Sequence, residues 1–351
     1  MVPAQSSRAA ATLALVEGLQ SRFVGALENV ARSHEEVRGF AEVVWDRDEG
    51  RHGGGRRLVA PTGSVFDRGS INVSQVHYDD LPSKRLASAT ALSAIVHPRS
   101  PHAPSVHMHF SHTEMRDGAG YWRMMADLNP ALPVASDTQR FAEALARESG
   151  VLYSMAATEG DAYFWIPALE RHRGVTHFYL ESHDSGDFEA DKALAERLGG
   201  AAISAYAEII GRGAGRSGSR DEQARQLAYH TLYFFQVLTL DRGTTSGLLV
   251  HDQNDVGILG SLPSHVDPDL LASWRPRLDP LQRPLLDRIV AQLPVDRPAA
   301  VCEDVKRALA REVRAFYRDN RDALALQARG SVVPPTVANH AGQPIGAASN
   351  E

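Results

Sequence analysis

Apolar residues recur at helical spacing from Ala9 to Arg38, at Leu13, Leu15, Val16, Leu19, Phe23, Leu27, Val30 and Val37, which predicts a long amphipathic helix. The pattern then breaks into short runs. Phe40 to Asp46 reads as a strand, and His52-Gly53-Gly54-Gly55-Arg56 as a tight turn or mobile lid. Arg57 to Ala60, Ser64 to Phe66 and Ile71 to His77 read as short strands. Ala87 to His97 is apolar and β-leaning until Pro98, Pro101 and Pro104 break it. Ser105 to His112 alternates, with His107, His109 and Ser111 on one face and Val106, Met108 and Phe110 on the other.

Tyr121 to Ala126 is a further strand, and Asp137 to Ser149 a helix capped by Asp137 or Ser136. Gly174 to Glu181 is a strand that places His177, Tyr179 and Glu181 on one face, and Asp187 to Gly211 is a long helix. Tyr229 to Leu240 reads as a strongly β-prone run whose Tyr233, Phe235 and Val237 are core or dimer-forming. Thr245 to Val250 and Val256 to Leu259 read as shorter strands, Pro280 to Leu293 and Arg297 to Asn320 as helices. Strands in succession, with helices at both ends and between, predict an α+β fold: a large, mainly antiparallel sheet flanked by helices on both faces. Residues 1–330 form one expected domain and 331–351, rich in Gly, Pro, Ala and Asn, a flexible tail. There is no regular β–α alternation and no GxGxxG or Walker sequence.

Composition narrows the function. A net charge of -6 argues against nucleic acid or an anionic membrane surface as partner. No apolar run reaches membrane-span length, and the first residues lack a signal-peptide pattern. Cys302 is the single cysteine, so internal disulfides and CxxC motifs are excluded; a reducing cytoplasm fits. The 15 histidines matter through their placement, because His97, His102, His107, His109 and His112 fall close together. His34, His52, His265 and His340 read as solvent-exposed.

Several segments together resemble the oxygen-dependent coproporphyrinogen III oxidase family. They are Gly53-Gly54-Gly55-Arg56, Gly63-Ser64-Val65-Phe66-Asp67, Ile71-Asn72-Val73-Ser74-Gln75-Val76-His77, and Ser93-Ala94-Ile95-Val96-His97-Pro98-Arg99 with Pro101, Pro104 and His107. Asp127-Leu128-Asn129-Pro130, Leu240-Asp241-Arg242-Gly243 and Ser261-Leu262-Pro263 follow in the family's order. The resemblance implies a broad antiparallel sheet, a homodimer, a substrate cleft over the sheet, and molecular oxygen as cosubstrate in the conversion of two propionates to vinyl groups. It implies catalytic roles for His107 and Asp127, and substrate contacts at Ser93, Ser111, His230 and Arg242.

The chain departs from the family where that chemistry sits. The family's asparagine is His109, and its carboxylate-gripping arginine is Ser111. A serine cannot form the two parallel bonds a guanidinium gives a carboxylate. The family's tryptophan and triple-glycine segment before Asp127 is replaced by Tyr121-Trp122-Arg123-Met124-Met125-Ala126, and a glycine by His177. Fewer arginines and more histidines lead to the expectation of a metal site built from His107, His109, His177 and Glu181, with iron favoured over manganese or copper. The preferred reading is then a metal-dependent oxygenase or oxidative decarboxylase acting on a smaller substrate in specialised metabolism. A genuine coproporphyrinogen III oxidase of haem biosynthesis, with arginines supplied by Arg56, Arg99, Arg123 or Arg173, is the alternative. A non-catalytic porphyrin- or haem-binding protein is a third. Plainer readings stand beside these: polar residues on a half-solvated strand for the histidines, turn chemistry for Asp127, and a structural salt bridge to Asp241 or another carboxylate for Arg242.

Overall fold

The computed structural model describes residues 2–35, 38–63, 65–333 and 336–340. The expectations that fell on Val37, on Ser64 and on residues 341–351 lie outside them. Seven strands form one sheet in the order in which they occur along the chain: β1 (Ala41–Asp46), β2 (Gly53–Val59), β3 (Phe66–His77), β4 (Leu86–Pro98), β5 (Ser105–Met115), β6 (Gly120–Asn129) and β7 (Thr176–His183). Every neighbouring pair is antiparallel. This is the expected α+β architecture.

Alternation along the strands gives the sheet two different faces. On one, Val73, Leu92, Met108, Phe110, Met124, Ala126 and Phe178 pack into an apolar cluster. Helices α1 (Ser7–Ser33), α2 (Ala135–Ser149) and α4 (Phe188–Gly213) cover it. Val16, Leu19, Phe23, Leu27 and Val30 make the stripe of α1 that meets the sheet. Fully burying side chains of this size contributes about 1.5–3 kcal/mol each.

The other face carries His107, His109 and Ser111, and it is roofed differently. Above it lie α3 (Tyr153–Phe164), α5 (Arg220–Thr239), α6 (Arg242–Val250), α7 (Arg283–Ala291) and α8 (Glu303–Asp319), which share the second apolar cluster. Here the sequence-based expectations fail most. Tyr229 to Leu240 is not a strand but the second half of α5, and Thr245–Val250 lies within α6. Asp255–Ile258 is a single helical turn. From Tyr229 to Thr239 every residue of α5 is buried, so no polar face interrupts the run to reveal a 3.6-residue period. The start signal was nevertheless present: Ser219 and Glu222 form a reciprocal capping box. Asp241 caps α6 by its side chain alone, accepting from the Thr244 amide at 2.6 Å. The helix over 135–149 begins one residue before the expected caps, with Val134 at its N-cap.

Gly53 to Gly55 do not form a lid. They are the first residues of β2, and a side chain on Gly55 would strike the Trp45 indole, which lies across the strand. His52 is not at the surface either, being held between Asp48 and Asp80 and only 3% exposed. Among the described residues no helix is long and apolar enough to cross a membrane.

Candidate active site

Between the polar face of the sheet and its helical roof lies a cavity of about 570 Å³. Ladder register fixes which side chains reach it. Ile95, His107, Asp127 and His177 stand opposite one another across β4, β5, β6 and β7. The adjacent cavity-facing rung holds Asn72, Ser93, His109, Met125 and Tyr179, and the next holds Ser74, Ala91, Ser111 and Arg123.

His107 faces the cavity. Its Nδ1 lies 2.9 Å from Asp127, and because a carboxylate only accepts, the neutral ring carries its proton on Nδ1 and its lone pair on Nε2. Asp127 does not line the cavity; it is fully buried beneath. It accepts from Arg173 at 2.7 Å and from the Asn129 amide at 2.6 Å. Burial alone would raise its carboxyl, but the Arg173 guanidinium and His107 outweigh that and bring it down to about 2. Arg173 is itself held by three partners: it donates to Gln236 at 2.9 Å, and its guanidinium lies 4.4 Å from the Phe164 ring centre and 4.9 Å from that of Tyr233. Gly174 makes this possible, because its backbone has φ +85° and any side chain there would meet Asn129 at 2.6 Å.

His109, Ser93, Ser111, Arg242 and Glu181 also line the cavity. His109 Nε2 lies 2.9 Å from the Ser111 hydroxyl. Burial, followed by the charges of Arg123 and His107, pushes the His109 imidazole down to about 3, so it is neutral. Arg242 pairs with Glu181, not with its neighbour Asp241, and Glu181 also accepts from Tyr179 at 2.7 Å. His230 does not reach the cavity: it is buried on α5 with its ring 5.1 Å from that of His97. The expectation of a substrate contact there came from the family resemblance, which puts an arginine at about this position.

The four expected metal ligands do not converge. His177 points away from the cavity, with Nδ1 2.6 Å from Asp161 on α3 and Nε2 2.6 Å from the Arg173 carbonyl. Both its nitrogens are occupied by these contacts, so neither is turned towards the cavity. Glu181 is committed to Arg242 and Tyr179. Among the described residues no group of three or more His, Cys, Asp or Glu could hold a metal ion. The donor set therefore does not fit iron, manganese or copper at these positions.

Sequence reasoning missed Tyr163 on α3 and the whole C-terminal contribution. Leu324, Gln327 and the short helix α9 (Thr336–Asn339), with His340 after it, complete the cavity wall. His340, expected to be exposed, lies 3.0 Å from the Tyr78 hydroxyl through Nδ1. No periodicity in so short a segment could have announced this.

The family model for coproporphyrinogen III oxidase matches residues 11–282. This chain belongs to the coproporphyrinogen III oxidase family. With that family it falls among the oxidoreductases. Curated relatives named oxygen-dependent coproporphyrinogen-III oxidase occur in Prochlorococcus marinus. That of strain MIT 9301 is 30% identical over 296 residues, covering 73% of this chain and 82% of the relative. That of strain NATL2A is 29% identical over 313 residues, covering 78% and 85%. The oxidase-family match stops at residue 282, so the cavity wall from Leu324 to His340 lies beyond it.

Proposed function

We propose that the protein is an oxygen-dependent oxidase that oxidatively decarboxylates a propionate-bearing pyrrolic substrate in this cavity, with coproporphyrinogen III as the first candidate. The observation that carries the reading is the His107–Asp127–Arg173 network at the cavity floor, in a chain whose relatives are named oxygen-dependent coproporphyrinogen-III oxidase. For each side chain the balance is R–CH2–CH2–COOH plus O2 giving R–CH=CH2, CO2 and H2O2. Two electrons and two protons reach oxygen, and the carbon–carbon bond to the carboxyl group breaks.

In this reading His107 Nε2 is the group that takes a proton from the substrate and hands it on. Asp127 is a positioning residue: it holds the imidazole in one tautomer and stabilises the imidazolium that forms on proton uptake. Arg173 keeps Asp127 ionised. Oxygen is the electron acceptor, and no step is assigned to a metal. The exposed edge strand β1, with Val43 and Val44 uncovered, supports pairing of two copies in a homodimer.

A second reading, a smaller and less acidic substrate, draws support from Ser111 in place of an arginine and from Met125 filling the floor. The test is incubation with coproporphyrinogen III in air and under argon, followed by mass spectrometry. Loss of one CO2 and two hydrogens per reacting side chain, in air only, is expected. No turnover of coproporphyrinogen with turnover of a monopyrrole propionate would move the assignment to the second reading. Tight porphyrin binding with no oxygen uptake on either compound would overturn both.

A further inference from the structure

We propose that Arg123 is the carboxylate-binding residue of the cavity, taking an alkyl carboxylate arm of the ligand on its guanidinium together with the Ser111 hydroxyl. The proposal rests on the reading of this cavity as the substrate site and names the residue that grips the substrate there.

Three arginines line the cavity: Arg123, Arg173 and Arg242. Two are neutralised from within, Arg173 by Asp127 and Arg242 by Glu181. Arg123 is different. Among the described residues no carboxylate lies within ion-pair distance of it, and its hydrogen bond is to a neutral group, the Thr336 hydroxyl, at 2.8 Å. Its Nε is buried with no hydrogen-bond partner, as are those of Arg173 and Arg242, but those two guanidiniums each have a carboxylate and Arg123 has none among the described residues. A guanidinium partly withdrawn from water without a counter-ion is unfavourable, and an anionic ligand removes that penalty. The planar fork suits a carboxylate, which can accept from two N–H groups at once.

Position supports the same assignment. Arg123 on β6 stands directly opposite Ser111 on β5 in the ladder, and both face the cavity. The carboxylate-gripping arginine that the family resemblance places at 111 is missing, and a guanidinium has appeared on the neighbouring strand across the same rung. The positive charge of this rung thus stands at 123 and not at 111. His109, one rung away and held neutral, leaves the positive charge of this corner to Arg123. Met125, next along the same face of β6, fills space beside it, so the pocket suits one slender carboxylate arm.

The experiment uses the full chain and two probe pairs: coproporphyrin III with its tetramethyl ester, and pyrrole-3-propionate with its primary amide. Binding is read by fluorescence and by calorimetry. The protein should prefer each acid over its neutral partner by about ten-fold or more, the scale of a charge-assisted bond. Arg123→Met should reduce that preference to within about two-fold, and Arg123→Lys should retain part of it. Should Arg123→Met fail to fold, the exchange variant carrying Ser111→Arg and Arg123→Gly decides, because it returns the guanidinium to the opposite strand and should restore the preference. An unchanged acid preference in Arg123→Met, or no acid preference in the parent protein, overturns the assignment. A parent protein that discriminates through Arg123 yet consumes no oxygen with coproporphyrinogen III keeps the clamp and loses the proposed reaction.

Discussion

Two rungs of one ladder behave in opposite ways. The His107–Asp127 rung and the Ser111–Arg123 rung are built by the same two strands and face the same cavity. In the first, imidazole, carboxylate and guanidinium each have a partner inside the protein, and the carboxylate is sealed from the cavity. In the second, the guanidinium donates to a neutral hydroxyl, that of Thr336, and lies 5.8 Å from the Tyr121 ring centre, with no carboxylate among the described residues to neutralise it. A closed network keeps its geometry whether or not a ligand is bound. An open one is completed by the ligand. The first suits proton handling, which needs a fixed tautomer, and the second suits recognition.

This contrast can be broken by substitution. Asp127→Ala should have the largest effect, since it leaves Arg173 buried without a counter-ion. A loss of about 3–5 kcal/mol in urea unfolding is expected, and a loss under 1 kcal/mol would mean that the network is not closed as described. His107→Ala should leave stability nearly intact but slow turnover by about 10²–10⁴-fold. A variant within ten-fold of the parent rate would remove His107 from the chemistry.

Acid should separate the buried histidines from the buried Asp127 carboxylate. Burial pushes His109, His251 and His340 down to about 3 and His230 down to about 4, from an ordinary 6.5. The folded state therefore binds fewer protons than the unfolded chain once pH falls below 6.5, so stability is full above that value and declines towards 3. Asp127 adds a second loss only from about 3.8 down to 2. A melting temperature lower by roughly 10 °C at pH 5 than at pH 7 is expected, and a flat profile would contradict neutral burial of these rings. The smallest effect belongs to Thr336→Val. Removing the hydroxyl that holds Arg123 should tighten binding of pyrrole-3-propionate by about two- to three-fold, while weaker binding would show that Thr336 helps to hold the ligand.

The sheet was legible in the sequence because its strands alternate. The split of Ser105 to His112 into a polar face and an apolar face is the split between cavity and core. The roof was not legible. The buried half of α5 is rich in Tyr, Phe and Val and reads as a strand by propensity, while the capping box at Ser219 and Glu222, outside that run, was the better guide. The metal expectation failed for a related reason. Strand alternation does put His177 and Glu181 on the polar face, but Asp161 on α3, a helix the pattern did not announce, takes the His177 ring, and Arg242 takes Glu181. Which side chains share a face follows from local pattern. Which of them remain free depends on elements distant in sequence.

The direct opposition of Ser111 and Arg123 also constrains how such a site can change over generations. A chain with arginine at 111 and glycine at 123, the exchange variant described above, is two single substitutions from the present pair, in either order. Losing the first arginine before gaining the second passes through a cavity with no grip at all. Gaining the second first places two guanidinium groups face to face, a repulsive pair on an empty strand ladder, but a bound carboxylate lying between them offsets that repulsion. Of the two histories, the one through the doubly cationic intermediate keeps a working pocket at every step, provided its ligand is abundant. That intermediate, Ser111→Arg in the present chain, can be made and tested for whether substrate stabilises it more than it stabilises the parent.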